Sequence, residues 1–485
     1  MNRFAQLDRK YVWHPFTQMR DWMRREPLVI VSGKGAVLRD VHKRKYLDAN
    51  SSIWTNLHGH NHPKINAAVS RQLKKIAHSS ALGLANEPAS LLAEKLVQDA
   101  NQKSHAREQA ASTTHKQAGP RLEKVFFSDD GSTALEVALK LAYEFSRRVK
   151  KLRKPKFLSL AGAYHGDTVG AVSLGHIDLF HKSYAGLLFR TDTVMAPYCY
   201  RCPFNRAKPE RADAREYRRC NWECVSRTEQ QFSSQKKKGN PYAAFVFEPL
   251  MQGAAGMIPQ PAGWLNRVSE AARSHGALLV ADEVMTGFGR AGEDGAGHWF
   301  ACQHESVQPD FLCLAKGLTG GYLPMAATLT TLEVFDAFLG KYEEFKSFFH
   351  GHSYTGNQLG AAAALANFDL LNKSNQARQK LEDALRRELQ SLWQLPNVGD
   401  IRQVGLIAGI ELVRNWRTRE PFDLRERAGI RVCEAMAARG VLTRPVGNVI
   451  VLMPPYCTTS MQLKTMVSVM RKSIETTVGD EVTSL

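Results

Sequence analysis

A chain of 485 residues of which 44% are hydrophobic can bury a large core, because chains of this length hide roughly three quarters of their unfolded surface; disorder as the main state is excluded. Its 65 basic and 47 acidic side chains leave a formal charge of +18, a balance that suits an acidic partner. The basic residues are scattered, however, and the densest runs, KKLRKPK (150–156) and KKK (236–238), lack the interleaved aromatics of a single-strand groove, so neither nucleic acid nor a membrane is expected as partner.

The opening MNRFAQLDRKYVWHPF places charges where a secretory signal needs apolar residues, and no apolar run approaches the roughly 18 residues that cross a bilayer. A soluble, cytoplasmic protein is expected. Residues 28–48 (LVIVSGKGAVLRDVHKRKYLD) alternate apolar and polar with turn residues, which predicts short antiparallel strands. Amphipathic helices follow at KINAAVSRQLKKIAH and EPASLLAEKLVQDA, and the polar stretch 101–120 reads as a loop. Then come short buried-type runs, KVFFSD, KFLSL, AAFVFEPL, ALLVADEV and FLCLAKG, with helical segments such as STALEVALKLAYEFSRRV between some of them. Strands alternating with helices predict an α/β fold with a mostly parallel sheet covered on both faces. From about 340 a helix-rich segment leads to strands near 402–413 and 449–453 and a terminal helix, a C-terminal lobe expected to pack with the N-terminal strands.

Four of the eight cysteines cluster as Cys199-x2-Cys202 and Cys220-x3-Cys224. Two such pairs can aim four thiolates at one tetrahedral metal. The plainer reading is reduced thiols in a basic surface insertion, and no metal is assigned.

Strand ends in such sheets gather chemistry. After KVFF come Ser128-Asp129-Asp130-Gly131-Ser132 and a long helix, whose free N–H groups and dipole suit a phosphate. Asp282 ends ALLVAD, where a carboxylate can pair with a protonated pyridine nitrogen. Lys316 follows FLCLA and precedes a glycine turn; desolvation there makes a lysine an amine nucleophile. Tyr164, in Tyr164-His165-Gly166-Asp167, offers a ring beside a flat cofactor. A phosphate cradle, a pyridinium partner, an imine-forming lysine and a ring neighbour together describe a pyridoxal 5'-phosphate site. Other motifs fall away. Gly287-x-Gly289-x-x-Gly292 has dinucleotide spacing but does not open a helix directly after its strand. His58, His60 and His62 alternate like ligands, yet no carboxylate cluster completes a metal site, so they read as packing and hydrogen-bonding residues.

The segments VWHPFTQM (12–19), FFSDDGSTALEVALK (126–140), AYHGDTVGAVSLG (163–175), FEPLMQGAAGM (247–257), LLVADEVMTGFGRAG (278–292), LAKGLTGGYLP (314–324), FFHGHSYTGN (348–357) and TRPVGNVIVLMPPY (443–456) resemble the class III aminotransferases. The resemblance implies a type I aminotransferase fold in three stretches: 1–63, part of a small domain and of the active site; 64–335, the large cofactor-binding domain with a Cys/Arg-rich insertion at 199–240; and 336–485, the rest of the small domain. It implies a homodimer with shared active sites and small-molecule substrates. Lys316 would hold the cofactor, Asp282 its pyridine nitrogen, and Gly131 with Ser132 its phosphate, with Tyr164 beside ring and substrate. His352 and Ser353 would reach the phosphate from the partner subunit, Gly351 would border the substrate, and Arg444 would bind a substrate carboxylate, for which a guanidinium fork is suited. The biotin-pathway branch resembles the chain best, which implies amination of 8-amino-7-oxononanoate; ω-amino-acid transaminases share the same motifs.

Phe16 stands where the branch using S-adenosylmethionine as amino donor has Tyr, and Ile53-Trp54 where it has a Trp pair. The pattern resembles the branch associated with lysine as donor. Asp130 stands where many members have Ser, which adds a negative charge near the expected phosphate.

Overall fold

The computed structural model describes residues 1–102, 119–292 and 297–479, so most of the polar stretch 101–120 lies outside the described residues. Three short strands, β1 (Ile30–Lys34), β2 (Val37–Asp40) and β3 (Lys45–Asp48), form an antiparallel meander near the N-terminus. Then come β4 (Leu122–Ser128), β5 (Lys156–Leu160), β6 (Asp192–Val194), β7 (Tyr242–Phe247), a hairpin of β8 (Met251–Gln252) and β9 (Ile258–Pro259), β10 (Leu278–Asp282), β11 (Phe311–Leu314) and β12 (Ala326–Thr331). The last third adds β13 (Val398–Val404), β14 (Ile407–Asn415), β15 (Glu420–Pro421), β16 (Val441–Leu442), β17 (Pro445–Val446) and β18 (Val449–Leu452).

The central sheet has seven strands in the order β4-β12-β11-β10-β7-β5-β6. Neighbours from β11 to β6 are parallel, and β12 alone runs against the rest, antiparallel to both β11 and β4. Every residue of β7, β10, β11 and β12 is buried, as in strands covered on both faces. Alternate residues of one strand feed opposite cores. Val246 packs with Leu135 and Phe145 of the helix Gly131–Arg148, while Phe245 and Phe247 join Trp264 and Leu279 on the other side. Each such large apolar side chain contributes roughly 1.5–3 kcal/mol when fully buried.

This is the α/β class expected. Two central strands escape a sequence reading for physical reasons: β12 (AATLTT) has no bulky apolar run, and β6 is three residues long. The chain ends meet in one small sheet, where β16 lies parallel to β3 with Val441 opposite Leu47. A further sheet joins β13, β14, β18 and β17, with β15 beside β14. Among the described residues no helix is long and apolar enough to cross a membrane. Because β4, β5, β7, β10 and β11 run the same way, their carboxyl ends at Ser128, Leu160, Phe247, Asp282 and Leu314 share one edge.

Candidate active site

A cavity of about 450 Å³ opens along that edge, lined among others by Lys316, Asp282, Tyr164, Trp54, Gly131 and Ser132. Lys316 sits in the tight turn after β11 with φ 42°, a left-handed conformation that a lysine rarely adopts. Its turn is held from behind: Asn367 donates from Nδ2 to the carbonyls of Gly317 and Leu318 at 2.9 and 3.0 Å. The Asn367 Oδ1 in turn accepts from His58 Nε2 at 2.8 Å. Lys316 Nζ lies 4.9 Å from the centre of the Trp54 ring. Loss of hydration lowers its pKa below the ordinary lysine value, against the opposing pull of Asp282 and Glu248, so the free amine is more accessible than in water.

Asp282, buried at the end of β10, accepts from Val284 N at 3.0 Å through Oδ1 and meets His165 Nδ1 at 2.7 Å through Oδ2. Burial pulls the His165 pKa down, but the hydrogen bond and charge of Asp282 outweigh it and the net shift is upward. Glu248, just after β7, accepts from Gly253 N at 2.8 Å, and burial raises its pKa to about 7. On the opposite wall Asp130 caps the helix Gly131–Arg148. Its carboxylate accepts from Thr133 N at 2.9 Å while Thr133 Oγ1 accepts from Asp130 N at 3.0 Å. The Asp130 charge is thus engaged on its own helix terminus. Gly131 has no room for a side chain, because a Cβ there would stand 2.7 Å from Val284 Cγ1. Ser132 Oγ accepts from Asp167 N at 3.0 Å, and Tyr164 donates its hydroxyl to Asp167 at 2.6 Å.

Trp54 reaches the cavity from an unusual turn. Ser51, Ser52, Ile53 and Trp54 have φ of 47, 49, 62 and 69°, four successive non-glycine residues in the left-handed region, each costing roughly 1–2 kcal/mol. Asp48 holds this turn by accepting from Asn50 N, Ser52 N and Ser52 Oγ at 3.2, 3.1 and 2.9 Å, and it meets His60 Nε2 at 2.9 Å. Phe16 stands at the rim, its ring 6.5 Å from Tyr164 and 5.4 Å from Phe180.

The structure therefore gathers Lys316, Asp282, Tyr164, Trp54, Gly131 and Ser132 at one cavity, with Phe16 beside Tyr164. Ile53 is exposed on the left-handed turn. Gly351, His352 and Ser353 belong to a segment outside the lining, although His352 Nδ1 comes within 3.5 Å of Asp129 in its own chain and Ser353 O meets His78 Nε2 at 2.7 Å. Arg444 is exposed between β16 and β17 and does not line the cavity within this chain. Sequence reasoning missed His165 and Glu248. Glu248 follows an apolar strand as Asp282 ends one and carried the same signal; the His165 contact spans 117 residues and carried none.

The model of the aminotransferase class-III family matches residues 19–474. The chain belongs to the class III aminotransferases. Its relatives include an adenosylmethionine-8-amino-7-oxononanoate aminotransferase of Geobacter sulfurreducens, 46% identical over 475 residues and 97% of each chain. The solved structure of a so-named enzyme from Methanocaldococcus jannaschii superposes with a TM-score of 0.85 at 38% identity, covering 98% of this chain and 99% of that one. An amine transaminase from an uncultivated Pseudomonas species, solved with PLP bound, gives 0.83 at 31%, covering 96% and 99%. This aminotransferase is a pyridoxal-phosphate-dependent transaminase, and its cavity fits the cofactor. A desolvated lysine shares the cavity with a buried carboxylate, a helix N-terminus with no space for a Cβ at Gly131 can take a phosphate, and the buried Thr286 Oγ1 in the cavity wall has no hydrogen-bond partner among the described residues.

Proposed function

We propose that this aminotransferase converts 8-amino-7-oxononanoate to 7,8-diaminononanoate in biotin biosynthesis. The observation that carries the reading is identity of 41–46% over 92–98% of the chain to five relatives named for that keto acid. Bound pyridoxal phosphate supplies an electron sink that lets an amine carbon lose its proton. Lys316 Nζ would hold the cofactor and, as a free amine, would take up and return the proton at the substrate carbon. Asp282, oriented by His165, would pair with the pyridine nitrogen and favour its protonated form. Gly131 and Ser132 would hold the phosphate, and Tyr164 would border ring and substrate. Arg444 takes the substrate carboxylate, while Phe16, Ile53, Trp54 and Gly351 shape the space for the rest of the molecule.

The active unit is a homodimer in which His352 and Ser353 complete the neighbouring site. Exposed apolar side chains beside that segment support it: Leu82, Leu84, Phe349 and Tyr354 all face outward in the single chain. The enzyme works in the cytoplasm on small molecules, without nucleic acid or membrane. Complementation of a biotin-requiring strain lacking this step tests the reading. Growth is expected; no growth despite cofactor-loaded protein, with turnover of 4-aminobutyrate in vitro, would replace it with an ω-amino-acid transaminase.

A further inference from the structure

None of the four clustered cysteines lines the catalytic cavity. Cys199 and Cys202 bracket a short turn (Cys199–Arg201), and Cys224 opens the helix Glu223–Lys237 just after Cys220. Between those two elements the chain has no helix or strand. The structure nonetheless folds this segment so that all four cysteines line one small enclosed space, together with Pro197, Trp222 and Pro261. All four are free thiols. The space measures about 10 Å³, the room of a single water-sized sphere.

We infer that Cys199, Cys202, Cys220 and Cys224 bind one Zn²⁺ ion as a four-sulfur structural site. The pair spacing, with two and three residues between the cysteines, lets each pair offer two sulfurs to one tetrahedral centre. The space has room for a single ion. Among the described residues no three thiol, imidazole or carboxylate groups already converge at coordinating distance, so the ion completes its site by rotation about the cysteine Cα–Cβ bonds. On binding, four S–H protons pass to solvent and four Zn–S bonds form, leaving a net charge of −2 on the centre. Arg218 is placed to balance it: it donates from Nη1 to Cys220 Sγ at 3.3 Å while its guanidinium lies 4.1 Å from the Trp222 ring.

The ion would staple a segment that otherwise depends on scattered arginine contacts to the C-terminal sheet. Arg215 donates to Gln403 O at 2.8 Å and Arg419 to Tyr200 O at 2.7 Å. Arg201, inside the first cysteine pair, donates from Nε to Glu411 at 2.7 Å. Glu411 also pairs with the buried Arg402 at 2.6 Å, and Arg402 donates to Gly256 O at 2.6 Å, two residues from Ala254 in the wall of the catalytic cavity.

Full-length holoenzyme purified in reducing buffer without chelator should contain about one zinc per chain. The double variant Cys202→Ser/Cys220→Ser should retain only traces of zinc and melt several degrees lower while keeping its cofactor. If that variant fails to fold, the wild type suffices: a mercurial should release zinc in step with modification of four thiols, and Co²⁺ added to the stripped protein should give the intense thiolate-to-cobalt bands of tetrahedral sulfur ligation. Wild-type protein without zinc and without cobalt bands, iron with acid-labile sulfide in place of zinc, or zinc retained by the double variant would each overturn the inference.

Discussion

The imidazole of His165 and the carboxylate of Asp282 meet at 2.7 Å with both side chains buried, in the wall of the cavity that also holds Lys316. Removing the ring leaves Asp282 without the partner that aims it. A hydrogen bond to a charged group contributes roughly 1.5–3 kcal/mol, so His165→Leu should weaken cofactor affinity about 10- to 100-fold and lower kcat, whereas His165→Asn should recover part of both. Cofactor titration by fluorescence quenching checks the first, and steady-state rates at saturating cofactor check the second. Equal cofactor affinity in wild type and His165→Leu would remove His165 from this role.

His58 supports the lysine turn through Asn367 and ties stability to pH. Burial, foremost, with nearby His62, Arg378 and Arg290, lowers its pKa to about 4 despite the opposing Asn367 hydrogen bond. Between pH 6.5 and 4 the unfolded chain binds a proton here that the folded chain refuses, so this contribution is complete above the unfolded value and is lost as pH falls. The loss reaches about 2 kcal/mol by pH 5. Urea unfolding at pH 7 and pH 5 should show a smaller destabilisation on acidification for His58→Gln than for the wild type. An identical pH dependence would exclude the effect.

Lys316, Asp282 and Gly131 were legible in the sequence because each follows or ends an apolar run in a parallel sheet, where chemistry concentrates. The supports behind them were not. The partnership of His165 with Asp282 and that of Asn367 with the Lys316 turn join segments distant in the chain. The left-handed run Ser51–Trp54 contradicts the local preferences of four ordinary residues and exists only because Asp48 and its surroundings impose it. Asp130 shows the limit from the other direction. Its charge was visible in the sequence, but its engagement with Thr133 appears only in the folded cap.

The role proposed for Arg444 can be tested apart from cofactor binding. The side chain is exposed between β16 and β17, and a guanidinium there can grip a carboxylate through parallel N–H bonds. Arg444→Ala should lower kcat/KM for 8-amino-7-oxononanoate by at least about tenfold and leave cofactor affinity unchanged. An unchanged kcat/KM for the keto acid would place its carboxylate elsewhere.

With Lys316 in the role proposed for it, the chemistry is the same for any primary amine, and donor choice is expected to rest on the pocket walls. The relatives carry adenosylmethionine in their names, whereas lysine is the donor expected here from two residues of this chain. Phe16 brings a ring without a hydroxyl to the edge of Tyr164 and Phe180, and Ile53 brings an aliphatic chain on the strained turn beside Trp54. An adenosine ring and a sulfonium cation are held best by flat aromatic faces and hydrogen-bonding groups, and each substitution takes one of these away. Restoring them should move the preference: Phe16→Tyr with Ile53→Trp is expected to speed the S-adenosylmethionine half-reaction relative to lysine by about tenfold, the worth of roughly 1.4 kcal/mol of added contact. The readout is the bleaching of the lysine-bound cofactor's absorbance when each donor is mixed with wild type and variant. Rapid bleaching of the wild type by S-adenosylmethionine and none by lysine would sink the lysine assignment, and an unchanged ratio in the variant would show that Phe16 and Ile53 do not set it.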